Sequence, residues 1–418
     1  MSPHVLRRPS APRAIGALLA AGALTLTACG GSSFDDSGSE EAGGDLSVLI
    51  GSSGEAETKA VEGAVAAWAK ESGTGAKVTT ASDLPQQLSQ GFASGDPADV
   101  FYIAADTFAG YADNGSLEPY AQDLSNLDDF YPTLTQAFTY DDQVYCAPKD
   151  FSTLGLVINS QKWSEAGLTD ADVPTTWDEL ADVAQTLTQG DTVGLAISPE
   201  YARVGAFMAQ AGGGLLNDEQ TEATADSDAN VAGLNYVKGL LADGSMAFTT
   251  DIGAGWGGEA FGKGQAAMTI EGNWISGAMQ ADFPDVDYQV AELPAGPAGQ
   301  ATLQFTNCWG IAADSDNKPA ARELVEKLTS QDDQLGFAKA FGVMPSIESA
   351  ADPFKTEYPQ DAAFVDSAAF AKNVPTLLGS KDVIDDLNSK LPTLADTDPA
   401  TILETTQKDL EAVVADSQ

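Results

Sequence analysis

The chain has 418 residues, of which 62 are acidic and 20 are basic, and its formal net charge is −42. So acidic a surface repels nucleic acid and anionic lipid headgroups, and we expect no nucleic-acid partner. The one histidine, His4, lies in a segment predicted to be removed, which excludes histidine-dependent nucleophilic catalysis and histidine metal sites from the mature chain. We expect no catalytic residue, no metal and no cofactor.

The N-terminus has the pattern of a bacterial lipoprotein signal. A cationic stretch precedes the run AIGALLAAGALTLTA, which is apolar but too short to span a bilayer. The following LTAC, ending at Cys29, matches a lipobox, in which the cysteine receives a diacylglycerol and becomes the new N-terminus. We predict a signal peptide over residues 1–28, a lipid anchor on Cys29 and a flexible tether over residues 29–44. The mature protein is then expected on the extracellular face of the bacterial cytoplasmic membrane.

The first part of the mature chain alternates between strand and helix patterns. LSVLI, AKVTT and DVFYIA are predicted strands with helices between them, an order typical of a parallel sheet covered by helices. In the first helix Val61, Val65 and Trp68 recur at helical spacing, which places Trp68 in the core. Because the chain is longer than one core usually supports, we expect an α/β protein of two lobes.

A second α/β region is predicted from Phe151 to about Leu303. Within it, Thr176 and Glu179 form a capping-box pattern, so Trp177 is expected in a first helical turn with a structural role. The segment from Asn307 to Ile347 predicts a strand followed by an amphipathic helical part. From Pro353 onward the pattern indicates helices broken by prolines.

The stretch GKGQAAMTIEGNW places a tryptophan directly after a buried strand. Ala266 to Ile270 is an apolar run between glycines, and Trp274 follows its carboxyl end. In open α/β sheets ligands bind in the crevice at that end. Trp274 is therefore a candidate ligand contact, with simple coverage of the sheet edge as the alternative.

Two cysteines besides Cys29 remain, Cys146 and Cys308. Outside the cytoplasm an even pair is expected to be oxidised, so we predict a disulfide between them, with two buried thiols as the alternative. Arg203 and Arg322 are the two arginines beyond the signal segment. Because arginine is the usual grip for carboxylate and phosphate, a densely anionic ligand is disfavoured.

Four segments in the order of the chain resemble the extracellular solute-binding proteins of ABC importers, in the branch that includes maltose-binding protein. They are DVFYIAADTFAGYADNGSLEPY, QVYCAPKDFSTLGLVINSQKW, FGKGQAAMTIEGNW and TNCWGIAADSDNKPAARELVEKLTSQDDQLGF. The third is the most specific, since the phenylalanine, the glycine, Ala-Ala-Met and Gly-x-Trp recur in the family at this spacing. The lipobox is also the one that the family uses in bacteria without a periplasm.

The resemblance implies a two-lobed periplasmic-binding-protein-like fold of type II, in which hinge strands join the lobes and ligand binds between them. The implied N-terminal lobe comprises residues 45–147 and 308–350, and the C-terminal lobe residues 148–307 and 351–418. Cys146 and Cys308 would then lie on neighbouring hinge strands. The implied partners are a sugar and an ABC permease with a cytoplasmic ATPase, and we expect the receptor to be a monomer.

The resemblance also implies which residues face a ligand. Trp274 matches a tryptophan that stacks on sugar, and Glu200 and Tyr201 resemble a Glu-Pro-Tyr contact with one residue missing. Asp106, Ser53 and Glu55 match other contact positions of the family. Further candidates are Trp256, on a predicted loop facing the same cleft, Arg203, close to Glu200 and Tyr201, and Asp150, after the hinge strand. For Ser53 and Glu55 a role in starting a helix is the alternative, and Trp309 is expected either in the cleft or packed at the hinge.

The chain also departs from the family pattern. Ile103 and Thr107 stand where the maltose-binding relative has a tryptophan and an arginine, and Lys381 or a neighbour replaces an aromatic residue near the C-terminus. We therefore expect that a sugar is not bound as maltose is. Two other functions stay open: a noncarbohydrate solute such as a polyamine, a metal chelate or a glycerophosphodiester in the same fold, and a secreted glycosidase that uses two carboxylates.

Overall fold

The computed structural model describes residues 44–417. Within this range the strands are β1 Leu46–Ile50, β2 Ala76–Thr80, β3 Val100–Ala104, β4 Thr139–Tyr140, β5 Gln143–Val144, β6 Ala147–Asn159, β7 Val193–Ile197, β8 Met246–Phe248, β9 Ala266–Gly272, β10 Tyr288–Ala291, β11 Thr302–Ile311 and β12 Ala371–Asn373. The three strands predicted first in the mature chain correspond to β1, β2 and β3, and the predicted run before Trp274 corresponds to β9.

The helices surround these strands. They are α1 Glu55–Ser72, α2 Leu84–Ser94, α3 Ala105–Asp113, α4 Pro132–Ala137, α5 Ser160–Glu165, α6 Trp177–Leu187, α7 Tyr201–Gln210, α8 Asp228–Asp243, α9 Gly257–Gly262, α10 Trp274–Asp282, α11 Lys318–Leu328, α12 Gln331–Phe341, α13 Ala351–Glu357, α14 Ala362–Asp366, α15 Ser380–Lys390 and α16 Pro399–Asp416. None of the helices within residues 44–417 is long and apolar enough to cross a membrane.

Ten strands form one mixed sheet in the order β2-β1-β3-β11-β6-β9-β7-β8, with β10 pairing β6 and β12 pairing β11. The pairs of β1 with β2 and of β1 with β3 are parallel, as the alternating pattern predicts. The long strands β6 and β11 are antiparallel and continue from one half of the sheet into the other. Their register pairs Thr306 with Phe151 and Asn307 with Asp150, and it shifts by a bulge between Asn307 and Cys308.

Two large hydrophobic clusters lie on the two halves of the sheet. One is built around β1, β3, α1 and α11 and contains Val61, Val65 and Trp68, all of them buried as predicted. The other joins β7, β9, α6, α7 and α8 to the C-terminal helices α15 and α16. The polypeptide that follows β11 thus supplies helices to both halves.

Helix α6 begins at Trp177, as its sequence predicts, but only half of the predicted capping box forms. The Thr176 side chain accepts a hydrogen bond from the Glu179 N–H at 3.3 Å, and the Glu179 carboxylate reaches back to the Thr175 N–H at 2.8 Å. Trp177 is buried and stacks on Tyr236 with ring centroids 4.3 Å apart, which confirms its structural role. The amphipathic part after β11 divides into α11 and α12, because the Ser330 side chain caps a new helix by accepting from the Asp333 N–H.

Cys146 and Cys308 are joined by a disulfide, with their Cα atoms 5.8 Å apart. Both are buried in the cluster on the first half of the sheet, where Cys308 is a partner of Ile103 on β3 and of Pro148 on β6. The bond therefore ties the end of β11 to the segment that leads into β6. The predicted signal peptide, the lipidated Cys29 and most of the tether lie outside the described residues.

Candidate functional site

A cavity of about 800 Å³ opens where β6 and β11 pass between the two halves of the sheet. Its floor is formed by residues of these two strands, among them Asp150, Phe151, Gln304 and Asn307. The first half of the sheet contributes the segment that starts α3, and the second half contributes the starts of α7 and α10 together with parts of α15. The cavity is thus a cleft lined from both halves at the crossing strands.

Trp274 lines this cleft as the first residue of α10, directly after β9. Its side chain is 38% exposed, unusual for a large aromatic residue in a well-packed region. Phe305 meets its ring edge-to-face with centroids 5.6 Å apart. A Cβ atom at Gly272 would lie 2.3 Å from the indole Cζ3, so glycine is needed there for the ring to pack against the strand end.

Glu271, the residue before that glycine, holds the polar edge of the indole. The Trp274 Nε1–H donates to Glu271 Oε2 at 2.9 Å, and the Arg203 Nη2 donates to the same oxygen at 2.6 Å. Glu271 is fully buried, and burial raises the pKa of its carboxyl above the usual value although Arg203 opposes the shift. Glu271 was not predicted as a site residue, although an acidic residue inside the apolar strand AAMTIEG was a signal for it.

Arg203 was predicted as a ligand contact, but its guanidinium is directed elsewhere. It is 8% exposed, pairs with Glu271, and its Cζ lies 5.3 Å from the centre of the Trp274 ring. Arg203 does not belong to the cleft lining. Because the buried carboxylate engages its charge, Arg203 supports the indole rather than facing the cavity.

The other wall of the cleft contains Ser53 and Asp106 at the ends of β1 and β3. Ser53 is held by Glu57, whose Oε2 accepts from the Ser53 N–H at 2.7 Å and from its hydroxyl at 2.8 Å. Glu57 on α1 is a second buried acid that was not predicted from the sequence. Asp106, a predicted ligand contact, is exposed in the first turn of α3 and lines the cleft.

Asp150 lies on the cleft floor beside Lys149, with which it forms an ion pair. Lys149 Nζ also lies 3.5 Å from Glu57 Oε1 and 4.3 Å from the centre of the Tyr102 ring. Burial raises the pKa of Asp150, and the lysine ammonium opposes that shift. The lysine thereby links the floor of the cleft to the α1 residue that holds Ser53.

Tyr201 lines the cleft but is buried, and burial raises the pKa of its hydroxyl, which stays protonated at neutral pH. Its backbone N–H donates to Asn388 Oδ1 at 2.7 Å, which joins α7 to α15. Glu200 precedes it and is exposed, outside the residues that line the cavity. Of the two neighbours predicted as a pair of contacts, Tyr201, the first residue of α7, lines the cleft, whereas Glu200, the residue before the helix, does not.

Three other predicted contacts lie away from the cavity. Trp309 is 1% exposed and packs edge-to-face on Tyr102 at 4.6 Å, so of the two roles left open it has the packing one. Glu55 forms a surface ion pair with Lys59 at 2.6 Å, consistent with a role in the helix start. Trp256, the residue before α9, lies outside the cleft lining and packs over Gly258 and against the cluster around Phe261.

The lining also contains side-chain amides that were not predicted from the sequence. Gln304 and Asn307 lie on β11, Asn373 on β12 and Asn388 on α15. The Gln304 Nε2 donates to Asn373 Oδ1 at 2.8 Å, so part of this set is already ordered. The sequence gives no local pattern for these amides, because they are far apart along the chain. Gln304 and Asn373 come together only through the pairing of β11 with β12.

The cations beside the cleft that the structure describes each have an acidic partner. Lys149 pairs with Asp150 and Glu57, Arg203 pairs with Glu271, and Lys381 pairs with Asp385 at 2.8 Å. A ligand carboxylate or phosphate would have to compete with these pairs. The arrangement favours neutral ligands with many hydroxyl groups over anions.

Comparison with solved structures confirms the fold. The cyclic α-maltosyl-1,6-maltose-binding protein of Arthrobacter globiformis superposes with a TM-score of 0.80 at 21% identity, covering 90% of this chain and 100% of that one. A cyclo/maltodextrin-binding protein complexed with maltotetraose superposes with a TM-score of 0.78 at 20% identity, covering 90% and 98%. Such structural neighbours are two-lobed binding proteins, the architecture that the sequence predicts.

Relatives are also found by sequence. The diacetylchitobiose-binding protein of Streptomyces coelicolor is 27% identical over 375 residues, which cover 81% of this chain and 83% of that protein. The galactooligosaccharide-binding protein of Bacillus subtilis is 23% identical over 394 residues, covering 90% and 91%. The family model of the bacterial extracellular solute-binding proteins matches residues 63–365. The chain therefore belongs to the family of bacterial extracellular solute-binding proteins.

Proposed function

We propose that this protein captures a carbohydrate in the cleft between its two lobes and delivers it to an ABC import permease. The observation that carries the proposal is Trp274, an aromatic ring 38% exposed in a cleft whose lining combines apolar residues with amides, hydroxyls and carboxylates. Sugars have apolar ring faces and hydroxyl rims, so their sites combine an aromatic surface with hydrogen-bonding side chains.

The polar part of the cleft suits hydroxyl recognition. Asp150 and Asp106 supply acceptors, Ser53 supplies a hydroxyl, and Gln304 and Asn307 supply both donors and acceptors. The relatives by sequence support the same ligand class, since their names state diacetylchitobiose, maltotriose and galactooligosaccharide as ligands. We propose that Trp274 stacks on one sugar ring while these side chains pair with its hydroxyls.

The lobes that we propose are those expected from the sequence, residues 45–147 with 308–350 and residues 148–307 with 351–418. The hydrophobic clusters support this division, because the first combines α1 with α11 and the second combines α7 with α16. Closure about β6 and β11 would bring the two walls onto the sugar. For ligand to drive closure, it must bind the closed form more tightly than the open form.

The rest of the assignment follows from the family. We propose that the receptor acts as a monomer, that it is held at the extracellular face of the membrane by lipid on Cys29, and that it releases sugar unchanged to the permease. A binding role without turnover is supported by the family, whose members are substrate-binding proteins. A membrane fraction that retains the protein after Cys29→Ser, with continued lipid labelling, would contradict the anchor.

A cationic solute such as a polyamine is the second candidate. Acidic side chains favour it, because Asp106, Asp150 and Asp385 all line the cleft. Two of these three carboxylates already pair with Lys149 and Lys381, which leaves less charge for a polycation than their number indicates. A glycerophosphodiester is disfavoured by the engagement of the same cations.

A thermal-shift screen against mono- and oligosaccharides tests the proposal, with spermidine and glycerophosphocholine as noncarbohydrate ligands. Binding at a hundredfold excess over the dissociation constant stabilises the folded state by about 2.7 kcal/mol. A sugar that stabilises the protein equally at low and high salt, and is recovered intact, supports a carbohydrate receptor. Stabilisation by spermidine alone, weakened by salt, would replace the sugar with a cation.

A further inference from the structure

We propose that Glu271 and Arg203 are positioning residues that fix the Trp274 indole so that it presents its ring face to the ligand and withholds its N–H. The inference rests on the proposed function, since it assigns the ligand contact to Trp274. It makes neither Glu271 nor Arg203 a ligand contact, and it states which kind of contact the cleft makes through this residue.

One carboxylate oxygen anchors both partners. Glu271 Oε2 accepts from the Trp274 Nε1–H at 2.9 Å and from the Arg203 Nη2 at 2.6 Å. The same arginine places its Cζ 5.3 Å from the centre of the indole, within the range of a cation–π contact. The indole is therefore held at its nitrogen by the acid and at its ring by the base.

Burial increases step by step from the indole to its supports. Trp274 is 38% exposed, Arg203 is 8% exposed and Glu271 is 0% exposed. A buried ion pair costs desolvation energy that its Coulomb attraction often fails to recover, so the pair is weak evidence for a stabilising role. Its direct contacts with the cleft tryptophan point to orientation of that ring as the role.

Two glycines leave room for this arrangement. A Cβ atom at Gly257 would lie 2.5 Å from Glu271 Oε1, and one at Gly272 would lie 2.3 Å from the indole Cζ3. Any larger residue at either position would displace the acid or the ring. The stretches that contain these glycines, AGWGGEAF and EGNW, thus serve the same side-chain cluster from two different elements.

The hydrogen bond from the indole to Glu271 limits how Trp274 can contact a ligand. Because its N–H already donates to Glu271, the indole offers the ligand dispersion and C–H contacts with its face and no hydrogen bond. The hydroxyls of the sugar must then pair with other side chains, such as Asp150 and Asn307. Because Glu271 also pairs with Arg203, this arginine does not attract an anionic ligand to the Trp274 ring.

The test compares two double variants that lack the ion pair and differ at position 271 alone. Arg203→Met/Glu271→Leu removes the acceptor of the indole N–H, whereas Arg203→Met/Glu271→Gln retains an amide oxygen there. Neutral replacement of a buried pair often preserves stability, which thermal unfolding checks. Each pair of changes is also made with Trp274→Phe. Arg322→Met/Asp123→Asn, which removes a surface ion pair whose two residues lie outside the cleft lining, is the control for charge removal away from the indole.

We expect the leucine variant to bind the sugar found by the screen about tenfold more weakly than the glutamine variant, the size of effect expected for one lost hydrogen bond to this group. With Trp274→Phe the two should differ less than about twofold, because phenylalanine has no N–H to position. The control should bind as the wild type does. Equal affinities of the leucine and glutamine variants, or a difference that persists with Trp274→Phe, would overturn the proposal.

A second measurement needs no sugar and none of the double variants. In the ¹H–¹⁵N spectrum of the full wild-type chain without ligand, the indole resonance that Trp274→Phe removes should be shifted downfield and exchange slowly with water. A resonance typical of a water-exposed indole would overturn the positioning role even if the double variants do not fold. If no sugar binds the wild type, the proposed function fails while this spectrum still tests the contact.

Discussion

Trp274 and Phe305 meet edge-to-face in the cleft, with ring centroids 5.6 Å apart. Trp274 starts α10 on the second half of the sheet, whereas Phe305 lies on β11, one of the two strands that continue between the halves. The contact therefore couples the Trp274 ring, which we propose stacks on sugar, to one of the strands about which we propose that the lobes turn. A ligand stacked on Trp274 would then be coupled to that strand through Phe305.

We expect Trp274→Ala to weaken sugar binding by about 1–3 kcal/mol, because it removes the stacking surface and the apolar area buried by the ligand. Calorimetric titration of the wild type and the variant measures the difference. Trp256→Phe is the matched control, since this tryptophan packs away from the cleft lining. Unchanged affinity in Trp274→Ala, or an equal loss in Trp256→Phe, would contradict the placement of the platform.

The contrast between these two tryptophans shows what sequence can predict. Trp274 follows an apolar strand directly, and the position after such a strand has a defined location at the sheet edge, so its place in the cleft was predictable. Trp256 lies between glycines in a loop, where the sequence carries no periodicity that would fix the direction of the side chain. Its direction is set by packing against Phe261 and its neighbours, which only the assembled fold determines.

The same distinction separates the fold from the ion pairs. Strands β1, β2, β3 and β9 and the buried face of α1 follow from local patterns and were predicted. The pair of Arg203 with Glu271 joins residues 68 positions apart, and that of Lys149 with Glu57 joins residues 92 positions apart. No local pattern encodes such a partner, so Arg203 was assigned to the ligand and both acids were missed.

Glu55 was the predicted ligand contact on α1, whereas the structure places the buried Glu57 beside Ser53 and Lys149. Variants of these two acids test which of them matters. Glu57→Ala should lower the free energy of unfolding by about 3 kcal/mol, because it leaves the buried Lys149 with one acidic partner fewer and removes the oxygen that accepts both Ser53 hydrogen bonds. Glu55→Ala breaks a surface pair with Lys59 and should cost at most about 1 kcal/mol.

Urea unfolding of the two variants measures this difference, and sugar titration adds a second comparison. Because Ser53 lines the cleft and Glu57 holds it, Glu57→Ala should also weaken sugar binding, whereas Glu55→Ala should not. Equal stabilities of the two variants would show that the buried acid has no special role. An affinity loss confined to Glu55→Ala would restore the contact that the resemblance implied.

The disulfide between Cys146 and Cys308 closes a loop across 162 positions of the sequence. Loop-closure entropy gives an upper figure of about 5 kcal/mol for its contribution to stability. We expect Cys146→Ala/Cys308→Ala to unfold at a markedly lower urea concentration but to bind sugar with little change, because neither cysteine lines the cleft. Peptide mass mapping of the denatured, unreduced wild type should find the two cysteines linked, and alkylation of both would contradict the bond.

Asp361 should make the protein less stable as the pH rises above about 4. It is 6% exposed and accepts a hydrogen bond from the Ser276 hydroxyl at 2.7 Å, and burial raises the pKa of its carboxyl although that hydrogen bond opposes the shift. Because its pKa is higher in the folded chain than the ordinary aspartate value of about 3.9, the folded state holds the proton more tightly. The resulting stabilisation is complete below that value and is lost as the pH rises through the folded pKa.

Asp361→Asn removes this dependence, because the amide keeps an acceptor for Ser276 and carries no charge at any pH. The free energy of unfolding of the variant relative to the wild type should therefore increase as the pH is raised from about 4, and then level off above the folded pKa. Urea unfolding at a series of pH values measures this difference, with Asp128→Asn as the control at an exposed position. A difference that stays constant or falls with pH would mean that the folded state does not favour the protonated carboxyl.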